Sequence, residues 1–210
     1  YRWDGHALTS LATVSTASIG DVYRTAWSPN GRYLATGGTV SPHLRVYSWN
    51  GSTLTLVTSK TFGSYGMALA WSPDGRYLAV GGSNGSQDLT LYAWNGLSLV
   101  QKATANYGTA VRFLSWSPNG RYLSVAAIDA GTNDFSIYEW NGSSLTSLLS
   151  QDHGTLAYGV DWNKSGKYIA VAGDNTTQDI IIYQCNYANE TQTQPLRNSI
   201  VFGDSTKGAA

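Results

Sequence analysis

Side chains able to do chemistry are few in this chain and poorly placed for it. Three histidines (His6, His43 and His153) and one cysteine, Cys185, are spread over 210 residues. There is no paired-histidine zinc spacing, no Cys-x-x-Cys and no phosphate-binding glycine loop. Gly81-Gly82-Ser83-Asn84-Gly85 formally matches the G-x-S-x-G nucleophile elbow. That motif needs a strand-to-helix turn with an acid and a histidine downstream, and here it falls between two strands. His43 and His153 read as solvated loop residues with no nucleophile beside either. The two glutamates, Glu139 and Glu190, do not form an acid–base pair. These residues point to no enzyme activity, no metal and no cofactor.

One carboxylate recurs. Asp88, Asp134 and Asp179 hold the same place before an alternating strand, with His43 there in the first instance. A residue fixed in this way suits a bond to nearby backbone N–H groups better than it suits reaction. Asp129 and Asp174 lie in neighbouring loops, yet no spacing resembles a calcium loop.

The elements that must position these residues come from an internal repeat. Trp27-Ser-Pro-Asn-Gly-Arg-Tyr-Leu-Ala recurs from Trp71, Trp116 and Trp162 at spacings of 44, 45 and 46 residues. A second block, Tyr-x-Trp-Asn-Gly, stands at Tyr47, Tyr92 and Tyr138, with relatives at Tyr1 and Tyr183. All eight tryptophans belong to one block or the other, and Cys185 sits where a ninth would fall. Each repeat resolves into four short strands. An apolar first strand ends at Ser-Pro-Asn/Asp-Gly, where Pro and Gly suit the central positions of a hairpin turn. Arg32–Thr36 and its counterparts form the second strand, and alternating runs such as Leu44–Tyr47 form the third. Asn-Gly then turns the chain into a fourth strand. Such a meander has two faces to bury against neighbours, which predicts an all-β fold: a β-propeller of four-stranded antiparallel blades.

On these blocks the chain resembles the WD-repeat family over about residues 1–185. The resemblance implies a propeller whose partners dock around the central channel. It departs from the family at the Trp-Asp dipeptide, replaced by Tyr47-Ser48, Tyr92-Ala93, Tyr138-Glu139 and Tyr183-Gln184, and it lacks repeated Gly-His. Tryptophan packing at Trp27, Trp71, Trp116 and Trp162 is expected to take over part of the family's buried polar network.

Residues 1–185 are read as the propeller. Strand Ala7–Thr16 is expected to complete the last blade, 157–184, by pairing with Ile180–Cys185, as in the terminal-strand closure of such rings. Four blades closed within one chain, part of a longer ring, and closure between chains through the terminal strands all fit the repeat count. Residues 186–210 read as a linker-like tail, a frayed terminus, with the alternative that Ser199–Phe202 adds a short strand at a sheet edge, on this molecule or a neighbour.

Thirteen basic and thirteen acidic residues give no net charge, so the basic footprint of a nucleic-acid binder is absent. No apolar run approaches the ~18 residues of a membrane-spanning helix. Charged residues are 12% of the chain, about half the usual ~25%. With its many Gly, Ser, Thr and Asn, that composition suits a secreted or cell-surface protein. Six Asn-x-Ser/Thr sequons fit the same setting.

What remains is a binding surface. Positions alike in all repeats build the blade, and large residues where repeats differ are free for recognition. Such differences fall at the start of the first strands: Tyr23-Arg24, Met67-Ala68, Arg112-Phe113 and Tyr158-Gly159. Tyr, Arg, Phe and Met are enriched at interface hot spots. With His43 and Asp129 from the adjoining loops, they make a candidate site for a protein partner. A glycan is the alternative ligand, because Trp, Tyr, Asn and Asp also contact sugars.

Overall fold

The strands are set by two local devices that recur in the first three repeats. Ser28 Oγ accepts the Tyr33 N–H (2.9 Å) and donates to Asn30 Oδ1 (2.7 Å), while Gly31 supplies the left-handed residue (φ 67°). Ser72 and Ser117 do the same with Asp74 and Asn119. At the other turn, Asn50 Oδ1 accepts the N–H groups of Ser52 and Thr53. Side chains thus bond the backbone where it leaves the ladder.

A computed structural model describes residues 2–3, 5–14, 20–63, 65–83, 85, 87–108, 110–127, 134–154, 156–174, 179–186 and 201–203. A short hairpin, β1 (Arg2–Trp3) and β2 (Leu8–Thr9), precedes four antiparallel meanders. Blade one is β3 (Val22–Trp27), β4 (Tyr33–Gly38), β5 (Leu44–Trp49) and β6 (Leu54–Lys60). Blade two is β7 (Tyr65–Trp71), β8 (Tyr77–Ser83), β9 (Leu89–Trp94) and β10 (Leu99–Ala105). Blade three is β11 (Val111–Trp116), β12 (Tyr122–Ala127), β13 (Phe135–Trp140) and β14 (Leu145–Gln151). Blade four is β15 (Leu156–Trp162), β16 (Tyr168–Asp174), β17 (Ile180–Asn186) and β18 (Val201–Gly203). The fold is the expected β-propeller arrangement of four-stranded blades. First strands contact one another in succession, β3 with β7, β7 with β11 and β11 with β15.

The core lies between blades. Leu44 and Val46 of blade one pack with Leu78 and Val80 of blade two, and Leu89 and Leu91 pack with Leu123 and Val125 of blade three. Phe135 and Ile137 pack with Ile169 and Val171 of blade four. A tryptophan fastens each of these interfaces. Trp71 Nε1 donates to the Ala26 carbonyl (3.1 Å) and Trp116 Nε1 to the Ala70 carbonyl (3.2 Å). Trp162 reaches the same level through a side chain: it donates to Ser124 Oγ (3.0 Å), which donates to the Ser115 carbonyl (3.0 Å). These three indoles are 7–8% exposed.

Two expectations are corrected. Trp27 is not buried like its counterparts; it is 51% exposed, packed edge-on against Trp49. No earlier blade stands on its side among the described residues. Nor, among the described residues, does the expected strand Ala7–Thr16 pair with Ile180–Cys185. Leu8 and Thr9 pair back onto Trp3 and Arg2, and the free edge of β17 is taken by the tail, Cys185 opposite Phe202. The local hairpin needs no long loop closure, which favours it over a distant pairing.

These burial differences set the expected stability changes. Trp116→Ala should cost ~3–5 kcal/mol, the range for emptying a buried aromatic site. Trp27→Ala should cost far less in dilute solution. Urea unfolding of both variants measures the contrast, and equal losses would contradict it.

Candidate functional site

Register irregularities place the candidate residues. In every first strand one residue is skipped in the pairing with the second. Val22 pairs with Gly38 and Arg24 with Gly37, which leaves Tyr23 as a bulge. The same count leaves Met67 between Gly66 and Ala68, Arg112 between Val111 and Phe113, and Tyr158 between Ala157 and Gly159. A bulge turns its side chain out of the pleat and is common beside binding sites. The four positions picked out because the repeats disagree are therefore one structural position, met once per blade. Tyr23 and Tyr158 are exposed, while Arg112 and Phe113 are half-buried. The described residues include the backbone of Met67 but not its side chain, and Asp129 lies outside them.

Two blades meet at this rim. The Arg24 guanidinium of β3 lies over the Phe113 ring of β11, 4.4 Å from its centre, across the start of blade two. Arg24 also donates to the Tyr23 carbonyl (3.1 Å). The cation–π contact fixes a side chain that would otherwise be free in solvent. Nearby, the Arg112 Nε is buried without a hydrogen-bond partner.

The loops around the rim are held from below by the recurring acceptor. Asp88 Oδ2 accepts the N–H groups of Tyr107 (3.2 Å) and Gly108 (3.0 Å), and Asp134 Oδ1 accepts that of His153 (2.6 Å). His43 Nδ1 takes the equivalent N–H, from Phe62 (3.2 Å). The acceptor and the amide are nineteen residues apart in all three blades. His43 is thus no ligand-facing residue. Both it and His153 are buried, not solvated as their loop positions suggested. Burial, and secondly the Arg45 charge, hold the His43 imidazole below its usual pKa. Burial raises the Asp134 carboxyl, against the His153 N–H bond that lowers it. Cys185 is buried at the place of a tryptophan, and burial pushes its thiol up to about 12, so it is an inert core group.

A second concavity was not legible in the sequence. On the opposite end of the blades, a groove of about 540 Å³ runs between blades two and three. Asp74, Arg76 and Tyr77 line one side, and Asn119, Arg121 and Trp140 the other. Arg76 pairs with Asp74 (2.6 Å) and Arg121 Nε with Glu139 (2.7 Å), so both guanidiniums are already neutralised. Its residues come from the uniform turn block, which reads as scaffold when repeats are compared. Among the described residues, no three His, Cys, Asp or Glu side chains group to hold a metal ion.

Comparison with known proteins adds a family and a set of folds. The family described as Eukaryotic translation initiation factor eIF2A matches residues 8–153. Among curated proteins, none matches the chain in sequence. A chain of the mitotic checkpoint complex superposes with a TM-score of 0.65 at 23% identity, over 78% of this chain and 49% of that one. The Cps50 (Swd1) β-propeller domain of Myceliophteria thermophila gives 0.60 at 16% identity, over 79% and 54%. The periplasmic gluconolactonase of Pseudomonas aeruginosa gives 0.64 at 20% identity, over 80% and 50%. The chain spans about half the length of these structures, and the likeness is one of fold.

The His43 bond makes stability depend on pH in a defined sense. Because the folded-state pKa is depressed, the unfolded chain binds the proton first. The contribution is complete above the unfolded pKa of about 6.5 and is lost as pH falls towards the folded value. His43→Gln should flatten the part of the denaturation-midpoint profile below about pH 7 that this group supplies. An unchanged profile would show that His43 is not the titrating group.

Proposed function

Because the chain belongs to the family described as Eukaryotic translation initiation factor eIF2A, we propose that it is a non-enzymatic scaffold that binds protein through the bulged rim. The observation that carries this reading is the coincidence of position and diversity. One bulge per blade falls at Tyr23, Met67, Arg112 and Tyr158 in otherwise uniform strands, beside the Arg24–Phe113 pair. The fold supports an interaction scaffold in general, since propellers of this type occur in a mitotic checkpoint complex. A chain with no net charge suits a protein partner better than RNA. Some propellers of similar fold are lactonases, as the Pseudomonas gluconolactonase shows, so catalysis is tested directly.

A glycan is the second reading, favoured by the groove between blades two and three. Its volume is within the ~300–1,000 Å³ typical of ligand pockets, and it mixes Tyr77 and Trp140 with Asp, Asn and Arg. A glycan array followed by calorimetry decides between the two.

The rim reading has a specific outcome. Tyr23→Ala, Arg112→Ala and Tyr158→Ala combined should abolish affinity capture of partner proteins while the β-sheet circular dichroism is kept. Arg76→Ala, in the opposite groove, should leave capture intact. Loss with Arg76→Ala alone would move the site to that groove. Gluconolactone should hydrolyse at its uncatalysed rate in the presence of the chain, and acceleration would overturn the non-enzymatic part.

A further inference from the structure

The two kinds of turn differ in one backbone hydrogen bond, and that bond divides the Asn-Gly pairs they contain. Six Asn-Gly pairs occur in the chain. Both residues are described in five of them. Asn30-Gly31 and Asn119-Gly120 join a first strand to a second, while Asn50-Gly51, Asn95-Gly96 and Asn141-Gly142 join a third to a fourth. In the first kind the glycine amide is tied down. Gly31 N–H donates to the Ser28 carbonyl (2.8 Å) and Gly120 N–H to the Ser117 carbonyl (2.9 Å). In the second kind the amides of Gly51, Gly96 and Gly142 donate to nothing among the described residues, and the asparagines before them are exposed. These asparagines also hold the side-chain oxygen against two backbone donors. Asn50 Oδ1 accepts from Ser52 (3.0 Å) and Thr53 (2.8 Å), Asn95 Oδ1 from Leu97 (2.9 Å) and Ser98 (2.8 Å), and Asn141 Oδ1 from Ser143 and Ser144 (both 2.9 Å).

We propose that Asn50, Asn95 and Asn141 are sites of self-modification, where the next glycine nitrogen attacks the side-chain amide and turns asparagine into aspartate or isoaspartate. Solvent hydroxide takes the glycine amide proton, which lies open where no carbonyl holds it. The Gly51 nitrogen then bonds to Asn50 Cγ and the Cγ–Nδ2 bond breaks. Nδ2 takes up a proton from water and leaves as ammonia. A second water opens the five-membered imide at one carbonyl or the other, giving the two acids. The reacting atoms belong to one turn, so no encounter limits the step. Charge building on Oδ1 falls where two N–H groups already point, as in an oxyanion hole. Asn30 and Asn119 share that feature in part, since their Oδ1 atoms accept from Arg32 and Arg121 (both 3.0 Å). The glycine amide is the difference that decides. Breaking its bond first, at the usual net strength, slows attack about two- to tenfold. At Asn141 the product places a new carboxylate in the groove that Arg76 and Arg121 line.

Peptide mapping by mass spectrometry, after the folded and unglycosylated chain is held in heavy-oxygen water at mildly alkaline pH, tests this. Label should enter at Asn50, Asn95 and Asn141 about two- to tenfold faster than at Asn30 and Asn119. Because the chain has no net charge, anion exchange should resolve species with successive added negative charges. In urea every glycine amide is in solvent, and the gap between the two groups should close. No labelling in the folded chain, equal rates at the five sites there, or a gap that persists in urea would each overturn the proposal.

Discussion

An indole N–H donated across a blade boundary is the interaction on which the rest of the structure depends. A four-stranded meander of this length has an apolar layer on each side and cannot be stable alone, so every blade needs a neighbour at a fixed distance and angle. The tryptophan that ends each first strand sets both. Its ring fills the space between sheets and its one donor finds the preceding first strand, directly at Ala26 and Ala70 and through Ser124 at the third boundary. The Trp-Asp network of more regular repeats is thereby dispensable. What replaces it is apolar, with a single directional bond to specify register. Buried donors are costly when unmatched, which is why this bond fixes position more than it adds stability.

Variable and uniform positions separate along the first strand. Its C-terminal end carries the invariant tryptophan and meets the tight turn. Its beginning carries the bulge, where one extra residue is released from the ladder without disturbing the pairs on either side. That arrangement lets the rim residues vary from Tyr to Met to Arg while the blade stays the same. The acceptor at the start of the third strand, Asp88, Asp134 or His43, ties down a backbone amide of the neighbouring loop.

Much of this was legible in the sequence, for physical reasons that differ by element. Turn chemistry and strand alternation are local, so blade boundaries follow from Ser-Pro-Asn-Gly and Tyr-x-Trp-Asn-Gly directly. The rim showed through as disagreement among repeats, although that its residues are bulges did not, because a bulge adds no distinctive residue type. Pairing between distant segments is the part that local pattern does not encode. Ala7–Thr16 alternates like a fourth strand, yet Leu8 and Thr9 within it pair with Trp3 and Arg2. The edge of β17 is filled from a polar tail instead. Burial of His43 was hidden for a related reason: a loop residue in sequence is covered only once the next loop folds over it. The expectation of a secreted or cell-surface protein rests on composition alone, and the groove between blades two and three is built from residues that repeat too faithfully to stand out.

The indole bond couples one blade to the next. Trp162 and Ser124 are the one pair in which both partners are side chains, so a double-mutant cycle can isolate it. Trp162→Phe, Ser124→Ala and the double variant, unfolded in urea, should show a coupling of about 0.5–1.5 kcal/mol, the net value of one buried hydrogen bond. Losses that add to within about 0.3 kcal/mol would contradict it, and blade order would then rest on apolar packing alone.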